Sequence, residues 1–468
     1  MRISALARGT VFAAPLVLAA CTPNDPASIE PERLTDINPD PRIVEVELVA
    51  TTATHEYLPG KLADVWAFRD GARAGAKATI PGPLLEANLG DTVIVHFRNE
   101  LTEHTTIHWH GLRVPNAADG TSFSQMHVLP GGTFDYEFTL KDSGYYWYHP
   151  HMAGDVQIEA GLYAPIIVHD DVAIDVAADR AFVLDDVKLE STGKLSTRTD
   201  NLDMMLGRQG NVVLINGRQH PSITAAAGSR ERWRFVNAAN GRYFNLELPG
   251  HTLRVISWDG GLLEAPYETA TLLIAPGERY EVLVELADGE DDTLQLRTLH
   301  YDRGHNIPDP GPIELLSIEI GANTREMAAL PSSWGTFAPV AIDASTPRRP
   351  MVLREDDTIP NAPTFSINNE EFPNITPVTG ALDQTEVWEI ENLAEMDHPF
   401  HLHGMFFQIV DETGAQIGPR GWKDTVNVQQ LQTVRAAVRF EAPGRWMYHC
   451  HILEHAERGM MGELEVAP

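Results

Sequence analysis

Near its C-terminus the chain places one cysteine, three histidines and one methionine within twelve residues: His449, Cys450, His451, His455 and Met460. Two imidazoles, a thiolate and a weakly held thioether are the donors typical of a blue-copper electron-transfer site. Neighbouring side chains of a strand point to opposite faces, so a metal held by Cys450 lies on the face away from His449 and His451. These two histidines are therefore expected to reach a second metal site.

Three further clusters supply ligands of the same kind. In a strand, the two imidazoles of a His-x-His pair share one face, and a single pair is more often an ordinary surface feature than a metal site. Together the four clusters hold ten of the nineteen histidines, which favours a metal centre over structural histidines. The three additional clusters are His108-Trp109-His110, His149-Pro150-His151 and His398-Pro399-Phe400-His401-Leu402-His403.

With these motifs, almost the whole chain after residue 20 resembles the multicopper oxidases, the family of laccases and bacterial copper-tolerance oxidases. The resemblance implies an all-β fold of three cupredoxin-like Greek-key β-sandwich domains and four copper ions, one of type 1, one of type 2 and two of type 3. The ligands it implies are His398, Cys450, His455 and axial Met460 for type 1, His108 and His401 for type 2, His110, His149 and His451 for one type 3 copper, and His151, His403 and His449 for the other.

Three acids match positions that carry roles in this family. Asp119 matches an acid that hydrogen-bonds the water channel near type 2 copper, although an acid before glycine is also a common turn residue. Asp424 matches a carboxylate presented to substrate near the type 1 site, the alternative being a solvated loop acid. Many bacterial relatives place a proton-delivering glutamate directly after the last type 1 histidine. This chain has Ala456 there, so Glu457 either replaces that glutamate or only caps the surface.

The resemblance implies that single-electron oxidations of a small reducing substrate are coupled to the reduction of O2 to water. Relatives specialised for cuprous ion carry a methionine-rich insert in the third domain. Here the twelve methionines are scattered and no such insert lies between residues 344 and 373. A laccase-like oxidase of phenols or aromatic amines is therefore favoured, with a cuprous or other metal-ion oxidase as the alternative. A non-enzymatic copper store or envelope scaffold is less favoured because no ligand is missing.

The chain begins like an exported protein. Basic Arg2 and Arg8 precede a short apolar run, and residues 1–20 resemble a bacterial lipoprotein signal peptide that ends before Cys21. The alternative is an ordinary signal peptide with a coincidental cysteine. With Cys21 lipidated and Cys450 on copper, no disulfide is expected. Residues 21–42 are predicted to form a flexible tether. Thr22, directly after Cys21, favours anchoring of the lipidated protein in the outer membrane, facing the periplasm.

Composition and an internal repeat set the domain organisation. The net charge of −31 repels nucleic acid; it either steers cationic substrates or is a solubility adaptation. Short alternating apolar runs recur three times, each with an asparagine after the same strand: Asn99, Asn237 and Asn392. We predict domains at 43–171, 172–325 and 326–468, the last with a leading linker, and a monomer.

The ends of the three repeats differ in their ligands. Tyr148-His149-Pro150-His151 aligns with Tyr448-His449-Cys450-His451, so proline replaces the cysteine in the first repeat. The second repeat, at Leu299-His300-Tyr301, lacks the histidine pair. The middle domain is therefore predicted to be a copper-free spacer, with the three-copper cluster between the first and third domains.

Overall fold

The computed structural model describes residues 29–196, 199–286, 293–305, 307–322, 326–332, 334–359 and 361–468. Six β-sheets form three pairs, each pair built from one continuous part of the chain. The predicted signal peptide and Cys21 lie outside the described residues. Among those residues no helix is long and apolar enough to cross a bilayer.

The first pair consists of two four-stranded sheets, in the orders β2-β1-β4-β6 and β3-β8-β7-β5. Apolar side chains from both sheets form one core that contains Leu48, Phe97, Tyr148 and Ile166. The elements are β1 (Ile43–Leu58), β2 (Lys61–Asp70), β3 (Leu85–Asn88), β4 (Thr92–Asn99), β5 (His108–His110), a 3-10 helix (Asn116–Ala118), β6 (Thr133–Thr139), β7 (Gly144–His149), α1 (Gly154–Gln157) and β8 (Ala164–His169).

The middle pair has a six-stranded sheet, β10-β9-β12-β17-β14-β15, and a five-stranded sheet, β11-β19-β18-β13-β16. Its elements are β9 (Ala178–Val187), α2 (Asn201–Leu206), β10 (Val212–Ile215), β11 (Ser222–Ala226), β12 (Arg230–Asn237), β13 (Phe244–Glu247), β14 (Leu253–Trp258), β15 (Gly261–Thr269), β16 (Leu272–Ile274), β17 (Arg279–Glu285), β18 (Thr293–Leu299) and β19 (Ile313–Gly321).

The third pair has two five-stranded sheets, β21-β20-β23-β27-β25 and β22-β29-β28-β24-β26. Its elements are β20 (Arg348–Asp356), β21 (Thr364–Ile367), β22 (Val378–Ala381), β23 (Thr385–Asn392), β24 (His398–Leu402), β25 (Phe407–Val410), β26 (Thr425–Val428), β27 (Thr433–Arg439), β28 (Gly444–Cys450), α3 (Leu453–Glu457) and β29 (Met461–Ala467). We call the three pairs of sheets the first, middle and third units.

The N-terminal stretch differs from its prediction. A flexible tether is expected over 21–42, whereas residues 29–42 pack against the folded units. Ile29 is buried in the core of the middle unit, and its carbonyl accepts a hydrogen bond from Nδ2 of Asn216 at 3.0 Å. The hydroxyl of Thr35 donates to the carboxylate of Asp70 at 2.5 Å. The acidic, proline-rich composition that suggests a tether does not reveal these few anchoring contacts, and the tether prediction is wrong from residue 29 onward.

The asparagine that recurs in the sequence makes the same contacts in every unit. Asn99, Asn237 and Asn392 are each buried at the end of a strand. In each, the side-chain NH2 donates to two carbonyl groups at 2.7–2.9 Å. The side-chain oxygen accepts the amide hydrogen two residues later at 2.9–3.0 Å. One residue type thus fixes the same bend in all three units.

Replacing Asn237 by alanine should destabilise the protein because it leaves two carbonyls and one amide without their buried partner. We expect a loss of about 3 kcal/mol in the free energy of unfolding of the middle unit. Denaturant unfolding followed by tryptophan fluorescence measures it. The exposed Asn374 provides the control, and an Asn237→Ala variant as stable as Asn374→Ala would contradict the structural role.

Candidate metal centre

Two pairs of strands bring the four histidine clusters together. In the first unit, β5 pairs with β7 so that His108 lies opposite His149. In the third unit, β24 pairs with β28 so that His401 lies opposite His449 and Phe400 opposite Cys450. Strands β5, β7 and β24 are buried along their whole length, and β28 is buried from Trp446 to Cys450. The strand ends of the two units therefore meet in an interior free of bulk water.

One group of ligand atoms contains the cysteine. The Sγ atom of Cys450 lies 3.5 Å from Nδ1 of His398 and 3.9 Å from Nδ1 of His455. The two Nδ1 atoms are 3.2 Å apart. Met460 is buried in the same core, and its carbonyl accepts the amide hydrogen of Cys450 at 3.1 Å. A cysteine sulfur and two imidazoles at these distances, with a methionine buried in the same core, form a donor set that suits copper.

The remaining cluster histidines form three further groups in which every ligand atom lies within 4.8 Å of the others. Each group takes histidines from both the first and the third unit. His449 and His451, on either side of Cys450 in sequence, belong to two of these groups, which is the alternation expected of a strand. The groups are His108, His110 and His401; His110, His149 and His451; and His151, His403 and His449.

The second nitrogen of most cluster histidines is held by the protein, which sets the tautomer. Nδ1 of His449 lies 2.8 Å from the carbonyl of Cys450, and Nδ1 of His149 lies 2.9 Å from the carbonyl of Pro150. Their Nε2 atoms face the other clusters: Nε2 of His449 is 3.3 Å from Nε2 of His151 and 3.2 Å from that of His403. The arrangement directs lone pairs into a common space.

Several of these inward nitrogens have no protein partner. Nε2 of His108, Nε2 of His401 and both ring nitrogens of His451 are buried without a hydrogen bond. An orphaned buried nitrogen costs free energy unless something satisfies it. Convergent, unpartnered imidazole nitrogens are the donor set of a transition-metal cluster, so the residues present fit copper.

Burial also sets the protonation of the ligands. It lowers the pKa of His398 to about 4 and that of His403 to about 3, so both imidazoles are neutral and able to bind metal at pH 7. Burial raises the pKa of the Cys450 thiol well above its usual range. Without metal the sulfur therefore keeps its proton, whereas metal binding requires the thiolate.

Asp119 lies beside the cluster. Its carboxylate oxygens are 3.0 and 3.2 Å from Nδ1 of His403, and its carbonyl is 2.8 Å from Nδ1 of His108. Burial opposes ionisation, but the neighbouring His403 and His108 hold the pKa of the carboxyl below its usual range. The following Gly120 has φ +81° and a Cβ there would lie 1.9 Å from the carbonyl oxygen of Ile107. Close packing therefore fixes the turn.

Asp424 does not occupy the exposed position that the sequence suggests. Its carboxylate is buried and forms a two-point ion pair with Arg279, at 2.7 and 2.5 Å. Oδ1 lies 3.4 Å from Nε2 of His110 and 3.3 Å from Nδ1 of His401. Although burial favours the neutral acid, Arg279 holds the pKa well below its usual range. A substrate cannot reach this carboxylate, so the predicted contact with a phenol or cuprous ion is wrong.

Glu457 has a capping contact. It is exposed on α3, and its Oε1 atom accepts the backbone N–H of Gly154, the first residue of α1, at 2.7 Å. This is the capping alternative considered from the sequence. The neighbouring Glu454 is the buried acid of this helix: it accepts hydrogen bonds from Asn240 and from the amide of Arg208, and burial raises its pKa to about 7.

Contacts from the middle unit are the part of the site that sequence reasoning missed. Gly277, with φ +86°, approaches so closely that a Cβ would lie 2.8 Å from the ring of His451. Arg279 heads a buried strand and binds Asp424. The carbonyl of Met205 in α2 lies 3.1 Å from Nε2 of His455. The turn Pro276-Gly277-Glu278 is visible as a repeat feature, but no local signal shows that it faces another unit.

Comparison with known proteins places the chain in a family. Three multicopper oxidase family models match residues 69–173, 185–304 and 344–468. The chain is 32% identical over 427 residues to the multicopper oxidase MmcO of Mycobacterium tuberculosis, covering 83% of this chain and 82% of that protein. The chain belongs to the multicopper oxidase family, and it is therefore a copper-dependent oxidoreductase that uses oxygen.

Solved structures agree with this assignment. A multicopper oxidase from Campylobacter jejuni, described as a metallo-oxidase, has a TM-score of 0.83 and 28% identity, with 94% of each chain covered. A laccase-like CueO from an Ochrobactrum species has a TM-score of 0.79 and 26% identity, covering 94% of this chain and all of that chain. The fold is thus all-β and cupredoxin-like, with laccase-like activity or metal oxidation within its range.

The protonation pattern predicts how copper-free protein takes up metal. Because burial lowers the pKa of nine of the ten cluster histidines and the Cys450 thiol keeps its proton, anaerobic loading with cuprous ion at pH 7 should release about one proton per chain. A pH-stat titration measures the release.

The Cys450→Ser variant is the control for this titration and should release almost no proton. Release of several protons per chain by the unaltered protein at pH 7 would show that the histidines are protonated before metal binds, contrary to the burial argument.

Proposed function

We propose that the protein is a laccase-like oxidase that uses four copper ions to couple one-electron oxidations of a small reducing substrate to the reduction of O2 to water. Bound copper supplies the redox chemistry, with the ligand sets assigned in the sequence analysis. The observation that carries the proposal is the continuous stretch His449-Cys450-His451. It joins the thiolate group to two of the imidazole groups through covalent bonds alone.

The chain's own residues give this stretch its function. Cys450 is paired in β28 with Phe400 and faces the core of the third unit, whereas His449 and His451 face the first unit. Burial of β28 from Trp446 to Cys450 keeps the distance between the two metal groups constant and excludes water from the path. We assign the electron-accepting role to the thiolate group, because a cysteine with two histidines and a distant thioether is the electron-transfer donor set.

Asp119 is proposed to help bring protons to the cluster. It is the one acid whose carboxylate reaches a histidine of the third unit without an arginine partner among the described contacts. Its hydrogen bonds to His403 and His108 place it beside two separate groups of ligands. This supports a carrier role more directly than the exposed cap formed by Glu457.

Export and anchoring remain proposals from the sequence. We place the enzyme in the periplasm, as a monomer held on the outer membrane through a lipid on Cys21. The signal-like composition of residues 1–20 supports this, and export would let copper be inserted outside the reducing cytoplasm. The predicted domain limits at residues 171 and 325 likewise remain proposals.

Replacing Cys450 by serine tests the assignment of the electron-accepting site. The hydroxyl is a poor ligand for copper of this type, so the variant should lose the blue thiolate-to-copper absorption. Turnover should fall by at least about 100-fold, because electrons no longer have a low-barrier path to the cluster. Copper analysis should still find metal on the histidine groups. Full activity in this variant would refute the assignment.

A second candidate function, metal-ion oxidation, is favoured by the residues that bury His455. This histidine is fully buried, its Nε2 is occupied by the carbonyl of Met205, and the ring of Phe365 stacks on it at 3.9 Å. A phenol cannot hydrogen-bond to a nitrogen that is already occupied. Helix α2 instead presents two partly buried methionines, Met204 and Met205, beside Asp203, and thioethers are soft ligands that select cuprous ion.

Substituting Met204 and Met205 together by leucine separates the two candidates, because leucine keeps the cover and removes the sulfur. For a metal-ion oxidase, the KM for cuprous ion should rise about 10-fold while phenol oxidation stays unchanged. For a laccase-like oxidase, neither should change. Steady-state oxygen consumption with each substrate provides the measurement, and Met126→Leu, at a methionine that is 87% exposed, is the control.

A further inference from the structure

Two acids hold the cluster histidines in the same way. The backbone carbonyl of Asp119, in the first unit, contacts His108 of the same unit, and its carboxylate contacts His403 of the third unit. The backbone carbonyl of Asp424, in the third unit, lies 3.0 Å from Nδ1 of His401 of the same unit, and its carboxylate faces His110 of the first unit. The two contacts are related by a pseudo-twofold exchange of the units.

Stacked rings follow the same exchange. His108 and His403 stack with centroids 3.9 Å apart and an interplanar angle of 25°. His110 and His401 stack at 3.8 Å and 11°. Each stack contains one histidine from each unit, and each is gripped by a single aspartate. The second aspartate is therefore a structural counterpart of the first, although nothing near residue 424 in the sequence resembles the region of residue 119.

The pseudo-symmetry breaks at His110. His403 turns Nδ1 toward Asp119, whereas His110 turns Nε2 toward Asp424, at 3.4 Å, and toward the hydroxyl of Thr425, at 3.3 Å. Its Nδ1 consequently faces the cluster, 3.5 Å from Nε2 of His149. The Thr425 hydroxyl donates to Oδ1 of Asp424 at 2.8 Å, so the two side chains that face Nε2 of His110 are hydrogen-bonded to each other.

Arg279 fixes the orientation of the Asp424 carboxylate. Its guanidinium donates two parallel hydrogen bonds to Asp424 and a further one to the carbonyl of Asp259, at 2.9 Å. A bidentate pair of this kind defines the plane of the carboxylate as well as its position. Arg279 belongs to the middle unit, which supplies no residue to the four histidine-containing groups described above.

We propose that Asp424, held by Arg279, is a positioning residue that keeps His110 turned with Nδ1 toward the cluster and His401 stacked beside it. The middle unit then takes part in assembling the metal centre instead of acting only as a spacer. The proposal rests on the proposed function, since it assigns His110 and His401 to bound copper. Partners that orient metal-binding histidines commonly change metal affinity or activity by 10–100-fold when they are removed.

The test compares Asp424→Asn with Asp259→Asn in the copper-loaded enzyme. Both acids are buried and both bind Arg279, but only Asp424 contacts histidines; Asp259 contacts Lys423 and the amide of Thr425 instead. Asp424→Asn should release cluster copper about 10–100-fold more readily to a chelator and lower kcat by a similar factor. The blue absorption and the KM for the reducing substrate should not change.

The control decides between positioning and general stability. Asp259→Asn should lower the melting temperature by a similar amount yet retain cluster copper and kcat. Equal copper loss in both variants, or none in Asp424→Asn, would overturn the proposal. Absence of copper or of blue absorption in the unaltered protein would instead refute the proposed function, so the two failures are distinguishable.

Thr425→Val covers the case in which Asp424→Asn does not fold, because it leaves the ion pair with Arg279 intact. Removing one hydroxyl that bridges His110, His401 and Asp424 should weaken retention of cluster copper by a few-fold. The type 2 electron paramagnetic resonance signal should change while the type 1 signal stays the same. An unchanged type 2 signal with full copper retention would contradict the proposal that Asp424 and Thr425 position His110 and His401.

Discussion

The metal centre depends on one constraint: an imidazole has two nitrogens, and the protein must hold one so that the other points inward. Backbone carbonyls hold His108, His149 and His449, while carboxylates hold His403 and face His110. Each contact fixes a tautomer before metal arrives. Because burial lowers the pKa of His110, His149, His403 and His449, these rings are neutral and their free lone pairs converge without mutual charge repulsion. The fold therefore stores ligand geometry in hydrogen bonds to residues that are not ligands.

That constraint explains the buried charges around the site. An unpaired carboxylate in this interior would favour protonation, since desolvation strongly disfavours the charged form. Arg279 keeps Asp424 ionised, and Asp259 in turn pairs with both Arg279 and Lys423. Such pairs contribute little to net stability against an apolar alternative, because desolvation offsets the attraction. Their value here is orientation: a two-point ion pair fixes a carboxylate plane beside a metal-binding ring.

The features that the sequence predicts correctly are those that depend on local geometry. Strand alternation is local, so it predicts that Cys450 faces away from His449 and His451, and the repeat of Asn99, Asn237 and Asn392 is readable as a pattern. Contacts between units are not local. Asp424 reads as a loop acid because its partner, Arg279, lies 145 residues earlier in the chain. The packing of residues 29–42 depends on similarly distant partners, which composition alone does not reveal.

The middle unit shows why a domain without ligands remains necessary. Three of its residues reach the metal groups: Gly277 packs against His451, Arg279 fixes Asp424, and the carbonyl of Met205 contacts His455. The first two act on the histidine cluster, and the third acts on the thiolate group from another side. A two-unit protein of the same design would need other residues at each of these contacts. Under the proposed function, the middle unit would therefore help to orient the cluster ligands through Gly277 and Arg279 and would shape, through Met205, what an electron donor meets at His455.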